Sequence, residues 1–124
     1  MNGPRAEVRN AADPQQVGRA ERREKDRSVI ERAAMKAVMS TPEGRLVMWS
    51  LLEGMGIFRS IWTPSAEIHY RAGWQDAGHQ LQALILAADE DLYDLMCREA
   101  RARVKRAANE TDAAHTARAD QGER

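Results

Sequence analysis

Apolar positions recur three and four residues apart in four stretches of this chain, separated by polar, glycine- or proline-bearing text. The first stretch follows Asp13-Pro14. From Gln15 to Lys25 it is charged almost throughout, with Glu21 and Lys25 four apart in the favourable order. Its apolar stripe begins only at Ile30 and continues through Ala33, Ala34, Ala37 and Val38. The spacing predicts one helix over about 15–39, ~37 Å long at ~1.5 Å per residue, exposed in its first half and docked in its second. A helix longer than its own core is a feature of interaction arms.

Ser40-Thr41-Pro42-Glu43 marks a boundary. Thr41 suits the cap of a second helix, and Pro42 suits its first position, where no backbone donor is needed. That helix carries Leu46, Val47, Trp49 and Leu51 and stops at Gly54-Met55-Gly56. Residues Ile57 to Trp62 read as an extended, buried crossover that lays Phe58 and Trp62 against the core. Thr63-Pro64-Ser65 repeats the capping chemistry. The third helix then runs to about Ala88 with Tyr70, Trp74, Ala77, Leu81, Leu84, Ile85 and Ala88 on its apolar face. Gly73, Ala77 and Gly78 remove bulk there, so a neighbouring helix can come close. Asp89-Glu90-Asp91 places negative charge at the start of a fourth helix. Leu92, Leu95, Met96, Ala100 and Val104 form its inner stripe, and the four-spaced pairs Asp94–Arg98 and Glu99–Arg103 its outer side.

The fold class that follows is all-α: a small bundle of about four helices with an extended crossover and flexible termini. Residues 1–14 are expected to be a flexible arm. Residues 15–108 form the helical domain, made of the long charged helix 15–39 and a compact part 41–107. Residues 109–124, polar and alanine-rich, are expected to be a disordered tail. Trp49, Phe58, Trp62, Tyr70, Trp74 and Tyr93 are the large side chains and the expected core; a partner-binding surface is the other reading of the same rings.

Composition sharpens this picture in two ways. The 124 residues hold 19 Lys/Arg and 19 Asp/Glu, so the net charge is zero. The charge is nevertheless segregated: about +3 over residues 1–40, −5 over 41–96 and +2 over 97–124. An acidic centre between basic ends fits head-to-tail pairing of copies, and equally a solvated surface. The single cysteine, Cys97, excludes an intrachain disulfide. No stretch approaches the ~20 apolar residues that span a membrane, and residues 1–10 lack an apolar signal core, so no membrane association is expected.

Catalytic chemistry is hard to find. His69 and His79 point about 80° apart and lie ~15 Å apart along one helix, so they cannot share a metal. Cys97 reads as a structural thiol, and no residue pattern marks a nucleophile with its base. The acidic run Asp89–Asp94 lacks the glycine and spacing of a calcium loop. No catalytic, cofactor-binding or metal-ligating residue is therefore expected, and no cofactor. Weak nucleic-acid contact through Arg19, Arg22, Arg23, Lys25 and Arg27 is compatible with the first helix, whereas specific readout is unsupported because acids are interleaved with these cations.

Two blocks carry a resemblance. Val38-Met39-Ser40-Thr41-Pro42-Glu43-Gly44-Arg45, followed by Leu51-Leu52 and Gly56-Ile57-Phe58-Arg59-Ser60, is similar to the Bbp-nineteen-like family of small tailed-bacteriophage proteins. The second block, Ile68 to Gly78, supplies the family's aromatic pair and glycines, with departures at Trp74 and Asp76. Pro42, Gly44, Arg45, Gly56, Phe58, Gly73 and Gly78 match the pattern, and each has an ordinary packing explanation. The resemblance implies a virion structural or head-morphogenesis protein acting through protein–protein contacts, with no catalytic residue to carry over. It implies portal, capsid or internal proteins as partners and a location in the host cytoplasm during assembly or in the virion; a homo-oligomer is expected besides, in line with the segregated charge. A small DNA-binding accessory of genome packaging is the alternative.

Overall fold

In a computed structural model, residues 13–122 are described, and all regular structure among them is helical. Helix α1 spans Pro14–Met39, α2 Pro42–Gly54, α3 Glu67–Ala88 and α4 Glu90–Gly122. The expected arm over residues 1–14 falls mostly outside the described residues. Its last two members are the cap and first residue of α1: Asp13 accepts the backbone N–H of Gln15 at 2.9 Å, and Pro14 fixes the first helical φ.

Thr41 acts as its chemistry dictates, whereas the capping expected at Thr63-Pro64-Ser65 does not form: α3 starts behind Ala66 with no side-chain cap, and Ser65 Oγ accepts the Glu67 N–H only at 3.4 Å. Thr41 Oγ1 accepts from the Gly44 N–H at 3.0 Å and opens α2. Gly44 is obligatory for a second reason. A Cβ there would lie 1.8 Å from the Val38 carbonyl oxygen, so only glycine lets the first turn of α2 fold back on the end of α1. Gly56, at φ +76°, ends α2 in the left-handed region. Asp89 separates α3 from α4 and accepts the Leu92 N–H at 3.0 Å. Lys36 of α1 reaches the same carboxylate at 3.7 Å.

The core is small and holds no aromatic ring at its centre. Met39, Leu52, Ile85 and Met96, one from each helix, are fully buried, and Ala100 nearly so. Met35, Met48, Trp49, Ile57, Leu81, Leu92, Tyr93 and Cys97 pack around them. This corrects the expected aromatic core. Trp49 and Tyr93 are half-buried at its edge, but Phe58, Trp62, Tyr70 and Trp74 are exposed. Flexible methionines fill the irregular space where four helices cross, and the stiffer rings are left outside.

The crossover is likewise neither extended throughout nor buried. Residues 55–58 form a turn through Gly56 that sets Met55 and Ile57 against Gly78. Gln75 of α3 holds the turn by donating to the carbonyls of Gly56 and Arg59 at 3.1 and 3.0 Å. Two features of α4 also differ from expectation. Glu99 turns inward to Arg45, and Val104 is 71% exposed. The expected tail is helical as far as Gly122, with every side chain from Val104 to Gly122 exposed. Alanine-rich text keeps the helical hydrogen bonds going after the core has ended.

Candidate protein-contact face

The exposed rings lie on the crossover and on the first half of α3. Phe58 stacks on Trp49 with ring centroids 4.8 Å apart and planes 22° apart, yet Phe58 remains 48% exposed. Tyr70 and Trp74, one helical turn apart, meet edge-on at 6.1 Å. They are 66% and 48% exposed, and Trp62 is 71% exposed. Single exposed apolar residues are ordinary, whereas a cluster of large rings is not.

Two open depressions flank the Tyr70–Trp74 ridge. One, of about 450 Å³, is floored by Gly54 and Gly56 and walled by Arg59, Glu67 and Arg71. The other, of about 330 Å³, lies over Gly73 and Ala77 beside His69. Tyr70 and Trp74 line both. Of the charged groups nearby, Arg71 pairs with Glu67 at 3.6 Å, whereas Arg59 donates to the Glu53 backbone carbonyl at 3.0 Å.

The family-pattern residues divide into two groups. Pro42, Gly44, Arg45, Gly56 and Gly78 serve the chain's own packing. Gly78 is buried, and a Cβ there would come within 2.5 Å of Ile57 Cγ2. Arg45 is 7% exposed and bonds both Glu99 Oε1 at 2.7 Å and the Met39 carbonyl at 3.0 Å, tying α1, α2 and α4 together. Phe58 and Gly73 belong to the exposed face, and nothing lies within 4 Å of a Cβ built on Gly73.

Arg19, Arg22, Arg23, Lys25 and Arg27 all lie on the exposed part of α1. At ~100° per residue, Arg19, Arg22, Arg23 and Arg27 fall within one ~140° sector, with Asp26 among them and Lys25 on the other side. Arg27 pairs with Glu31 at 3.1 Å.

Among the described residues, no group of three His, Cys, Asp or Glu could hold a metal ion, and no helix is long and apolar enough to cross a membrane. His69, His79 and His115 are exposed, and Cys97 is half-buried. Burial pushes the Tyr93 phenol upward, opposed by the Gln82 amide, which donates to the phenol oxygen at 2.7 Å. No protein-family model, curated protein or solved structure matches this chain.

Proposed function

We propose that this chain is a structural or head-morphogenesis protein of a tailed bacteriophage and that it works through protein–protein contacts rather than catalysis. One observation carries the contact role: Phe58, Trp62, Tyr70 and Trp74 are all exposed, and Tyr70 and Trp74 line two open depressions. Tryptophan, tyrosine and arginine are the residues that most often dominate binding energy at protein interfaces. The phage assignment rests on the two sequence blocks that resemble the Bbp-nineteen-like family. Its partners in this reading are portal, capsid or internal proteins, met in the host cytoplasm during assembly or kept in the virion. Mass spectrometry of purified particles, combined with deletion of the gene, tests it. The reading expects the protein in heads or in assembly intermediates, or defective heads in its absence. Absence from particles together with normal assembly after deletion defeats it.

A second reading is a small DNA-binding accessory of genome packaging, favoured by the arginine sector of α1. A salt titration decides: DNA affinity falling steeply with salt supports it, because phosphate contacts release counterions. No binding at low salt dismisses it.

A further inference from the structure

We propose that the outward face of α4 between Arg98 and Arg106 is a contact site for the phosphate backbone of duplex DNA, bound without regard to sequence. This rests on the second reading, a DNA-binding accessory, and moves its main contact from α1 to α4.

Position supplies the first argument. Met96 and Ala100 turn the inner side of α4 to the core. At ~100° per residue, the side opposite them carries Arg98, Lys105, Arg101 and Arg106 within a sector of about 140°, along about 12 Å of helix. All four are exposed. The one other residue of 98–106 in that sector is Ala102, too small to cover them.

Charge supplies the second. Residues 98–106 hold five cations and one acid. That acid, Glu99, is turned inward and held by Arg45 at 2.7 Å, so it does not offset the outer face. The four-spaced pairing of Asp94 with Arg98 does not form. Among the described residues, none of the four exposed cations makes an ion pair. Asp94 and Asp112 bound the patch, one turn before Arg98 and two turns beyond Lys105. The α1 cations are different: Asp26 stands among them, and Glu31 engages Arg27 at 3.1 Å.

Chemistry selects the ligand. An acidic protein surface would share the charge, but protein interfaces draw most of their energy from rings and other anchors in desolvated pockets. This sector holds no ring and no large apolar side chain. Phosphate contact needs only exposed cations. Duplex DNA carries one negative charge per ~1.7 Å of axis, and release of its counterions supplies the affinity. Three of the four cations are arginines, whose planar fork meets phosphate oxygens in pairs.

Fluorescence anisotropy of a labelled, mixed-sequence duplex of about 20 base pairs, titrated with the full chain between about 20 and about 200 mM salt, tests the proposal. Four contacts should give a slope of log affinity on log salt of about −3.6. The triple variant Arg98→Gln, Arg101→Gln, Lys105→Gln is expected to bind at least about tenfold more weakly at low salt and to flatten the slope by about 2.7. Its urea midpoint should stay within error, because exposed glutamine suits a helix nearly as well as arginine or lysine. The α1 variant Arg19→Gln, Arg22→Gln, Arg23→Gln should lose less affinity than the α4 variant. An α4 variant that binds like the natural chain, or loses less than the α1 variant, overturns the proposal; loss in the α1 variant alone leaves the second reading standing, with its site on α1. No DNA binding by the natural chain at low salt defeats both. Binding of polyglutamate in place of DNA, abolished in the α4 variant, also overturns the proposal and gives the face to an acidic protein.

Discussion

Arg45 donates from Nε to Glu99 Oε1 across 2.7 Å, joining the first turn of α2 to the middle of α4, 54 residues away in the chain. Its Nη1 also donates to the Met39 carbonyl, closing the end of α1 at the same place. A guanidinium can make both bonds at once because its donors are fixed in a planar fork, which lysine lacks. Glu99→Gln leaves Arg45 in place with a weaker acceptor and is expected to cost about 1–2 kcal/mol. Arg45→Lys keeps the charge but loses one of the two bonds, at a similar cost of about 1–2 kcal/mol. Urea unfolding followed by circular dichroism reads both.

Substitutions at two glycines on α3 should act in opposite directions. A Cβ at Gly78 meets Ile57 and Met55 at 2.5 and 2.9 Å, so Gly78→Ala should destabilise by about 1–3 kcal/mol. Gly73→Ala meets nothing in its own chain and should stabilise the diluted protein by about 0.5–1 kcal/mol through helix propensity alone. Thermal midpoints at low concentration compare the two.

Core and aromatic face should respond differently to truncation. Leu52→Ala or Ile85→Ala empties fully buried space and should cost about 2–5 kcal/mol. Trp62→Ser should change stability by no more than about 0.5 kcal/mol despite the larger side chain removed. Chemical denaturation of the three variants checks this.

The exposed end of α4 adds helix but little stability. Removing residues 109–124 should lower the helical signal while leaving the urea midpoint unchanged, because every described side chain past Arg103 is exposed. Hydrogen exchange should be fast over residues 104–122 and slow around Met96 and Ala100.

Tyr93 gives a pH dependence of known sign. Its phenol is held above the ordinary value of about 10, chiefly by burial. Below that value the phenol is protonated in both folded and unfolded chains, and its full contribution is present. As pH rises past it, the unfolded chain loses the proton first, so stability falls until the folded phenol ionises as well. Tyr93→Phe should flatten this decline when urea midpoints are compared between about pH 9 and about pH 11.

Element boundaries other than the end of α4 were legible in the sequence because local chemistry sets them. Asp13, Thr41 and Asp89 each cap through an atom within three residues, and Gly56 supplies its own backbone freedom. The destination of the rings was not legible. Tyr70 and Trp74 share a helical stripe with Ile85, but lie ~16–22 Å up the helix from it, and periodicity does not say where neighbouring helices end. Val104 extends the Met96–Ala100 stripe in the same way and emerges into solvent. The Arg45–Glu99 bridge was hidden for a related reason. A partner 54 residues distant leaves no local trace, and the nearby Arg103 offered a plausible but unused four-spaced match. The exposure of Phe58, Trp62, Tyr70 and Trp74 could be foreseen only as a second reading of the same residues.

Hydroxyl-radical footprinting of the dilute chain, read residue by residue by mass spectrometry, reports ring accessibility directly. A molecule whose aliphatic and methionine core leaves its rings outside should show rapid oxidation at Trp62, Tyr70 and Trp74, and slow oxidation at Ile85 and Leu52. Protection of those three rings to the level of Leu52, under conditions where the chain is monomeric, would contradict it.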